Sequence, residues 1–316
     1  MSDTLPNSIG VYQGGSLSCL LYAIYVNDMG LYVDGVEIIQ FADDTQLLIS
    51  GQKRHLSDMI VKLERTLCQL SDWFNENRLK VNASKTHMIV FGTKAMLKKQ
   101  PNISVNFCGT AIQESRVVKN LGLYMDRHMT FVDHVDHVVA KCSGSLVALT
   151  HARHSLPRTS LKPIVTALVM TIIRYCVSIY GTCSKTELHR IQKIINFGAR
   201  VISGKKKFDH ISEVLKSLNW LSSSQLAQYH RAQMVRRVVS LELPETLYSI
   251  IAAADHRHEH QTRHNNQMRL PAIRTETGRR QLAYSGVKLY NDVCQKRLVR
   301  ESFRTALYQT IRAEPG

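Results

Sequence analysis

The chain has 316 residues, of which 44% are hydrophobic, so it can bury a substantial core and wholesale disorder is excluded. The first residues lack the basic and apolar segments of a secretion signal, and no apolar run reaches the roughly 20 residues of a membrane span. Seven scattered cysteines without a CxxC pair favour free thiols over a disulfide framework. We therefore expect an intracellular protein, cytoplasmic or nuclear, that is neither secreted nor in contact with a membrane.

The formal net charge of +16 is confined to the second half of the chain. Residues 1–150 contain 14 of the 41 Lys and Arg residues and 14 of the 25 Asp and Glu residues, so they are balanced. A half-chain as basic as residues 151–316 favours a polyanionic partner such as nucleic acid, with a solvated basic surface as the alternative.

The first part of the chain has the hydrophobic pattern of a mixed α/β region. Residues 9–30 predict a loop that enters a buried helix, and residues 36–51 predict a hairpin with an acidic tip. Apolar residues at spacings of three and four predict an amphipathic helix over residues 56–77, packed on that hairpin. Short strands are predicted at 87–91 and 103–107, and a further strand-like piece follows.

That further piece runs over residues 117–124 and ends in Met125 and Asp126. From about residue 134 the pattern is helical, with a basic break at residues 204–207. Residues 252–270 are predicted to be a polar linker. The final segment predicts a helix with one apolar stripe, formed by Val299, Phe303, Leu307 and Ile311.

Asp43 and Asp44 are the residues best placed for chemistry. Mg²⁺ prefers carboxylate oxygen and is usually held by one or two carboxylates together with substrate phosphates. Two such ions about 3.5–4 Å apart can clamp the attacking and leaving oxygens of a phosphoryl transfer. By itself, however, Asp-Asp is also a common turn sequence, because Asp bonds to its own backbone.

Several sequence blocks together resemble the reverse transcriptases of non-LTR, LINE-like retrotransposons. Residues 41–44, FADD, resemble the metal box of that family, and residues 10–22, GVYQGGSLSCLLY, resemble the segment before it. Residues 79–86, LKVNASKT, and 120–126, NLGLYMD, resemble later blocks in the same order. The resemblance extends to the thumb segment at 188–200 and the tail at 270–291. Tyr12 and Cys19 stand where the family usually has prolines.

This resemblance implies an α+β fold. The expected order is a partial polymerase palm over residues 1–130, an antiparallel sheet with helices, then a mainly helical thumb over 131–250. Residues 251–316 would form a linker and a basic carboxyl-terminal tail. The implied activity is RNA-directed DNA polymerisation with Mg²⁺, an RNA template, a DNA primer and deoxynucleotides.

The resemblance also implies roles for individual residues. Asp43 would be the metal ligand and Asp44 its support. Gln13, Gly14 and Phe41 would line the nucleotide and template side. Lys85 would lie near the leaving pyrophosphate, although a surface lysine after a turn is the simpler interpretation from sequence alone.

Other polar clusters have two interpretations each. Lys205, Lys206 and Lys207, together with Arg279 and Arg280, are candidate phosphate contacts or a solvated face. The histidines at 256, 258, 260 and 264 could hold a metal if the segment were extended, but a polar linker fits better.

The family carries its first catalytic Asp on an earlier palm strand, and only residues 1–8 precede the matched blocks. We therefore expect this chain, as a fragment, to lack polymerase activity by itself. A non-catalytic nucleic-acid-binding remnant is the alternative function, and a structural protein without ligand fits the charge division poorly.

Overall fold

A computed structural model describes residues 10, 14–98, 102–252, 268, 270–273, 276–296 and 302–313. The fold is α+β, as predicted, and helices predominate. The chain divides into two compact units, Met1–Val118 and Lys119–Gly316. Among the described helices, none combines the length and apolarity needed to cross a bilayer.

The first unit is built from short strands and one long helix. In chain order its elements are α1 Ser18–Tyr25, a 3₁₀ segment Asn27–Tyr32, β1 Glu37–Phe41, β2 Asp44–Leu48, α2 Leu56–Glu76, a 3₁₀ turn Ala83–Lys85, α3 Lys94–Leu97, β3 Ser104–Phe107 and β4 Thr110–Gln113. The strands β1 and β2 form one antiparallel ribbon, and β3 and β4 form another. In the described part of the chain these ribbons are separate rather than one continuous palm sheet.

Helix α2 packs against both ribbons of the first unit. Its predicted amphipathic face is confirmed. Leu70 and the fully buried Trp73 pack with Ile38 and Leu47 of the first ribbon. Leu67, one turn earlier, packs with the apolar side chains of the second ribbon. A single helix therefore covers one face of each ribbon, which confirms the predicted packing of the helix on the acidic hairpin.

Three predictions for the first part of the chain were wrong in detail. Helix α1 forms, but none of its residues is buried, whereas a buried helix was expected. Residues 87–91 form only an isolated bridge, from Met88 to Glu114, because a strand requires a hydrogen-bonded neighbour along its length. The strand-like piece at 117–124 is interrupted at Leu121 and Gly122, which have φ of 45° and 84°.

That interruption produces a third ribbon instead of one strand. Strand β5, Val117–Asn120, pairs with β6, Leu123–Asp126. A positive φ at two successive residues reverses the chain tightly. Glycine at position 122 accommodates this conformation without steric cost.

The second unit is helical after β6. Its helices are α4 Val132–Ala152, α5 Arg158–Val165, α6 Thr171–Arg174, α7 Val177–Tyr180, α8 Lys185–Ser203, α9 Ser212–Ser217, α10 Ser223–Leu241, α11 Glu245–Ala252, α12 Glu276–Arg280, α13 Val287–Lys296 and α14 Phe303–Ala313, with π-helical segments at Thr166–Met170 and Leu282–Gly286. The apolar segment 161–180 thus comprises several short helices.

Polar side chains fix the ends of the long helices in this unit. Ser184 accepts a hydrogen bond from the Glu187 backbone at the start of α8. Ser222 and Gln225 form a reciprocal capping box at the start of α10. Gly204, with φ of 75°, ends α8 in the left-handed conformation that favours glycine.

One continuous core holds α4–α10 and the carboxyl-terminal helices together. Its centre includes Leu146, Tyr180 and Ile195, all fully buried. The predicted apolar stripe of the last helix is confirmed for Phe303, Leu307 and Ile311, which join this core. Val299 and residues 253–267 lie outside the described residues, so the predicted linker and the histidine cluster stay predictions.

The buried Arg231 links this core to the carboxyl-terminal part of the chain. Its guanidinium donates to the Ser178 carbonyl at 3.3 Å and to the Ser285 hydroxyl at 3.2 Å. Burial lowers the pKa of Arg231 from its ordinary value, and the nearby Cys183 opposes that shift. The segment after residue 270 is therefore anchored to α10 by hydrogen bonds as well as by apolar contacts.

Candidate metal and nucleic-acid sites

The acidic hairpin has the geometry that its sequence predicts. Phe41 pairs with Asp44 as the last rung of the β1–β2 ribbon, so Ala42 and Asp43 form a two-residue loop. Ala42 has a φ of 53°, in the left-handed region that two-residue hairpin loops require. Both carboxylates are exposed at the tip, with their backbone held by the ribbon.

The two carboxylates are not equivalent. By strand alternation Asp44 lies on the same face as its partner Phe41, and this face of the ribbon is exposed. Burial raises the pKa of Tyr22 in α1, and the negative charge of Asp43 makes a smaller contribution in the same direction. Asp43 lies in the loop of the hairpin, whereas Asp44 is the first residue of β2.

The exposed face beside Asp44 is apolar. Ile39, Phe41 and Leu48 are each at least two-fifths exposed there, with Phe41 at 62%. Such a face can contact a base or sugar without first losing packing inside the unit. The predicted contact of Phe41 with substrate is compatible with this placement and stays a prediction.

The Gln-Gly segment is described only in part. Gln13 lies outside the described residues. Gly14 is exposed, has a φ of 84°, and a Cβ added there would meet open space. Backbone conformation rather than crowding is thus the structural reason for glycine at this position.

Lys85 lies on a different part of the first unit from Asp43. It ends the 3₁₀ turn Ala83–Lys85, which packs against β4 of the second ribbon. Its side chain is exposed. The structure therefore groups Phe41, Asp43 and Asp44 in one turn and places Lys85 on a separate turn.

The two carboxylates at the hairpin tip could supply one or two ligands to a metal ion but not a complete coordination shell. Across the residues that the structure describes, no cluster of three or more His, Cys, Asp or Glu side chains could hold a metal ion. Mg²⁺ commonly takes only one or two protein carboxylates and completes its shell with phosphates and water. Asp43 can be such a ligand, and Asp44 can support it or contact a second ion.

The predicted basic contacts lie on two segments of the second unit. Lys205, Lys206 and Lys207 are all exposed in the loop after α8. Arg279 is exposed on α12, whereas Arg280 is half-buried. Burial raises the pKa of the Cys183 thiol, and the positive charge of Arg280 partly opposes that rise. Of the two arginines, Arg279 is the one open to a phosphate.

Sequence reasoning missed the role of Asp126. Its carboxylate accepts hydrogen bonds from the backbone N–H groups of His128, Thr130 and Phe131, at 3.0, 2.7 and 2.7 Å. It also accepts one from the Thr130 hydroxyl at 3.0 Å. Asp126 therefore builds the turn between β6 and α4, and its position at the end of a strand was the available signal.

Comparison with known proteins agrees with the hairpin geometry. Residues 3–125 match the reverse transcriptase (RNA-dependent DNA polymerase) family. The matched segment, which includes the two-residue acidic turn, is similar to that family, and the resemblance that the motifs predict is confirmed.

The relatives are polymerases of mobile elements. The chain is 29% identical over 209 residues to the RNA-directed DNA polymerase from mobile element jockey of Drosophila funebris, covering 62% of this chain and 22% of the relative. It is 26% identical over 203 residues to the probable RNA-directed DNA polymerase from transposon X-element of Drosophila melanogaster, with the same coverage. The chain thus spans about a fifth of the length of these relatives. No solved structure shows significant similarity to it.

Proposed function

We propose that this chain is part of an RNA-directed DNA polymerase of a retrotransposon. In this proposal the first unit contributes the carboxylate turn of the metal site, and the second unit holds the template and primer. The observation that carries the proposal is the exposed Asp43–Asp44 turn inside the segment that matches the reverse transcriptase family.

Asp43 would hold Mg²⁺ from the tip of the ribbon, since the ribbon and α2 keep its backbone in place. Bound there, the ion would neutralise charge on the phosphates of an incoming deoxynucleotide. Asp44 and Phe41 would face the nucleotide and template side, and Lys85 would offset negative charge on the leaving pyrophosphate. Gln13 and Gly14 would line the same side.

The second unit would bind the RNA template and DNA primer through their phosphates. It carries the basic excess of the chain, and Lys205, Lys206, Lys207 and Arg279 are exposed on it. Neutralising several phosphates releases counterions, so binding should weaken steeply as salt rises. A polymerase of this kind would act in the cytoplasm or the nucleus, where RNA is present.

The 316-residue chain alone should not polymerise. The hairpin supplies two carboxylates, and no cluster of three or more His, Cys, Asp or Glu side chains among the described residues could hold a metal ion, whereas two-metal transfer needs two ions held about 3.5–4 Å apart. Primer extension on an RNA template with Mg²⁺ or Mn²⁺ tests this. Incorporation above background that disappears in Asp43→Ala would show that the chain is a complete enzyme.

Metal binding at the hairpin can be tested separately from turnover. Paramagnetic Mn²⁺ should broaden the amide NMR signals of residues 40–46, and Asp43→Asn should remove this broadening. Asp58→Asn is the matched control, because Asp58 is an exposed carboxylate of the same unit that interacts with His55. Equal broadening in wild type and Asp43→Asn would remove Asp43 as a metal ligand.

The second candidate function is a non-catalytic nucleic-acid-binding remnant, and the uneven charge favours it. The two candidates differ in one respect that can be measured. The remnant predicts salt-dependent binding of RNA or DNA without any effect of Asp43→Asn on binding in Mg²⁺. A polymerase part predicts that Mg²⁺ strengthens nucleotide-dependent binding through Asp43.

A further inference from the structure

The loop between α8 and α9, residues 204–210, carries the most exposed of the large hydrophobic side chains in the described structure. Phe208 is 91% exposed and follows three lysines directly. We call residues 204–210 the lysine loop. A phenylalanine this exposed gains little from core packing, so its ring is open to a ligand outside the chain.

The lysine loop places Phe208 at the corner of a tight turn. The Asp209 N–H donates to the Lys206 carbonyl at 3.2 Å, so Lys207 and Phe208 are the two central residues of a β-turn. Central turn positions are usually taken by small or polar residues such as Asn, Asp, Gly and Ser. Lysine followed by phenylalanine at these positions projects a charge and a ring outward together.

Hydrogen bonds hold this turn in one conformation. Asp209 accepts from the Lys206 N–H at 2.8 Å, and Arg200 donates to the carbonyls of Lys206 and Asp209 at 3.1 and 3.3 Å. The Lys205 ammonium donates to the His210 carbonyl at 2.8 Å. A loop that is already ordered loses less conformational entropy when it binds a ligand.

The side chains of the turn have complementary properties for a nucleic-acid strand. In the described structure neither Lys206 nor Lys207 forms an ion pair, and the Lys207 ammonium lies 5.6 Å from the centroid of the Phe208 ring. The one carboxylate of the loop, on Asp209, is engaged by a backbone N–H. Proteins that bind single strands combine basic groups for the backbone with aromatic rings on which bases stack.

We infer that Phe208 stacks on an unpaired base of a nucleic-acid strand while Lys206 and Lys207 contact the neighbouring phosphates. This inference rests on the proposed function, because it assigns a specific contact to the unit proposed to hold nucleic acid. It adds a preference for unpaired strands, since a base inside a duplex has no free face. The preference should not depend strongly on sequence, because every base has an aromatic face.

The full chain should be titrated by fluorescence anisotropy with short labelled oligouridylate, oligothymidylate and an abasic deoxyribose-phosphate strand of the same length. Phe208→Ala should weaken binding to the strands with bases about tenfold and leave binding to the abasic strand unchanged. Leu241→Ala is the matched control, because Leu241 is an exposed apolar residue of the same unit, and it should change neither.

Phe208→Trp provides a direct signal of stacking. The chain has only two tryptophans, and both Trp73 and Trp220 are buried, so a tryptophan at position 208 would be exposed. Its emission should be quenched by oligouridylate or oligothymidylate and not by the abasic strand, with affinity at least equal to wild type.

The outcomes separate this inference from the proposed function. Binding by the wild type that Phe208→Ala leaves unchanged, or weakens equally for the abasic strand, overturns the stacking contact alone. Unquenched emission of Phe208→Trp at saturating oligomer overturns it as well. Failure of the wild type to bind any strand at low salt overturns both. The stacking contact is supported if Phe208→Ala weakens binding to oligouridylate or oligothymidylate and leaves binding to the abasic strand unchanged.

Discussion

Residues 1–118 and residues 119–316 differ in how much of their apolar side-chain surface each unit buries. Two small clusters around α2 hold the first unit, and α1 buries no residue although its sequence is strongly apolar. The second unit encloses one large core and a satellite cluster. The unit with the densest family motifs thus has only small apolar clusters, whereas the helical unit buries most of its apolar side chains in one core.

Charge divides the chain in nearly the same place. The first half is balanced and carries the acidic hairpin, while the second half carries the basic excess and the lysine loop. The proposed metal-binding and strand-binding roles therefore fall on different units and can be tested separately by substitutions in the 316-residue chain. Substitutions in each unit should therefore have different effects on stability and on strand binding.

The largest effect should come from the core of the second unit. Leu146→Ala removes a fully buried side chain, so it should lower the free energy of unfolding by about 2–5 kcal/mol. Leu20→Ala, in the exposed α1, should change it by no more than about 0.5 kcal/mol. Urea denaturation of both variants measures the difference. Equal losses would show that α1 is packed as tightly as the helical core.

Stability of the second unit should fall in mild acid because of His134. Burial, with a smaller effect of the neighbouring charge on His137, lowers the pKa of His134 to about 4. The Nδ1 atom accepts from the Tyr124 N–H at 3.4 Å, which requires an unprotonated nitrogen.

The unfolded histidine takes up its proton near pH 6.5, whereas the folded one does so only near pH 4, so the folded state is disfavoured as pH falls between these values. The expected loss is on the order of 2–3 kcal/mol. Denaturation at several pH values checks it. His134→Gln should flatten this dependence, and His189→Gln, at an exposed position of α8, should not.

Asp126→Ala should destabilise the turn before α4 by about 2 kcal/mol, because several backbone N–H groups lose a charged acceptor. Asp126→Asn keeps one acceptor oxygen and should lose less. Chemical denaturation of both variants measures the effect. If Asp126→Ala were as stable as wild type, the family-like block at 120–126 would need an explanation other than turn formation.

The smallest effect concerns the salt dependence of strand binding. Lys206→Gln with Lys207→Gln should reduce the slope of log affinity against log salt by about 1–2 units. Lys94→Gln with Lys98→Gln removes two exposed lysines of the first unit and should leave the slope unchanged. Titration of RNA at several salt concentrations compares them. A similar reduction in both double variants would contradict the separation of roles.

The sequence predicted those features whose causes are local. The spacing of apolar residues predicted α2 and the last helix, α14, and the strand–acid–strand pattern predicted that Asp43 and Asp44 lie at a hairpin tip. These features depend on residues close together in the chain, so periodicity and turn chemistry identify them.

Features that depend on distant partners could not be predicted in the same way. The apolar run in α1 predicted burial, but burial requires another surface, which the described first unit does not provide. Residues 87–91 have strand-forming side chains without a neighbouring strand along their length. The exposure of Phe208 likewise depends on the turn that Arg200 and Asp209 hold, which no periodicity reveals.

The measurement that tests the separation of roles most directly is photocrosslinking of the full chain to an RNA strand carrying photoreactive uridine, with crosslinked peptides identified by mass spectrometry. We predict that the crosslinks fall mainly within residues 119–316 and include the lysine loop, and that they decline as salt rises. Crosslinks distributed equally over residues 1–118, or unaffected by salt, would contradict the account that the basic helical unit holds the nucleic acid.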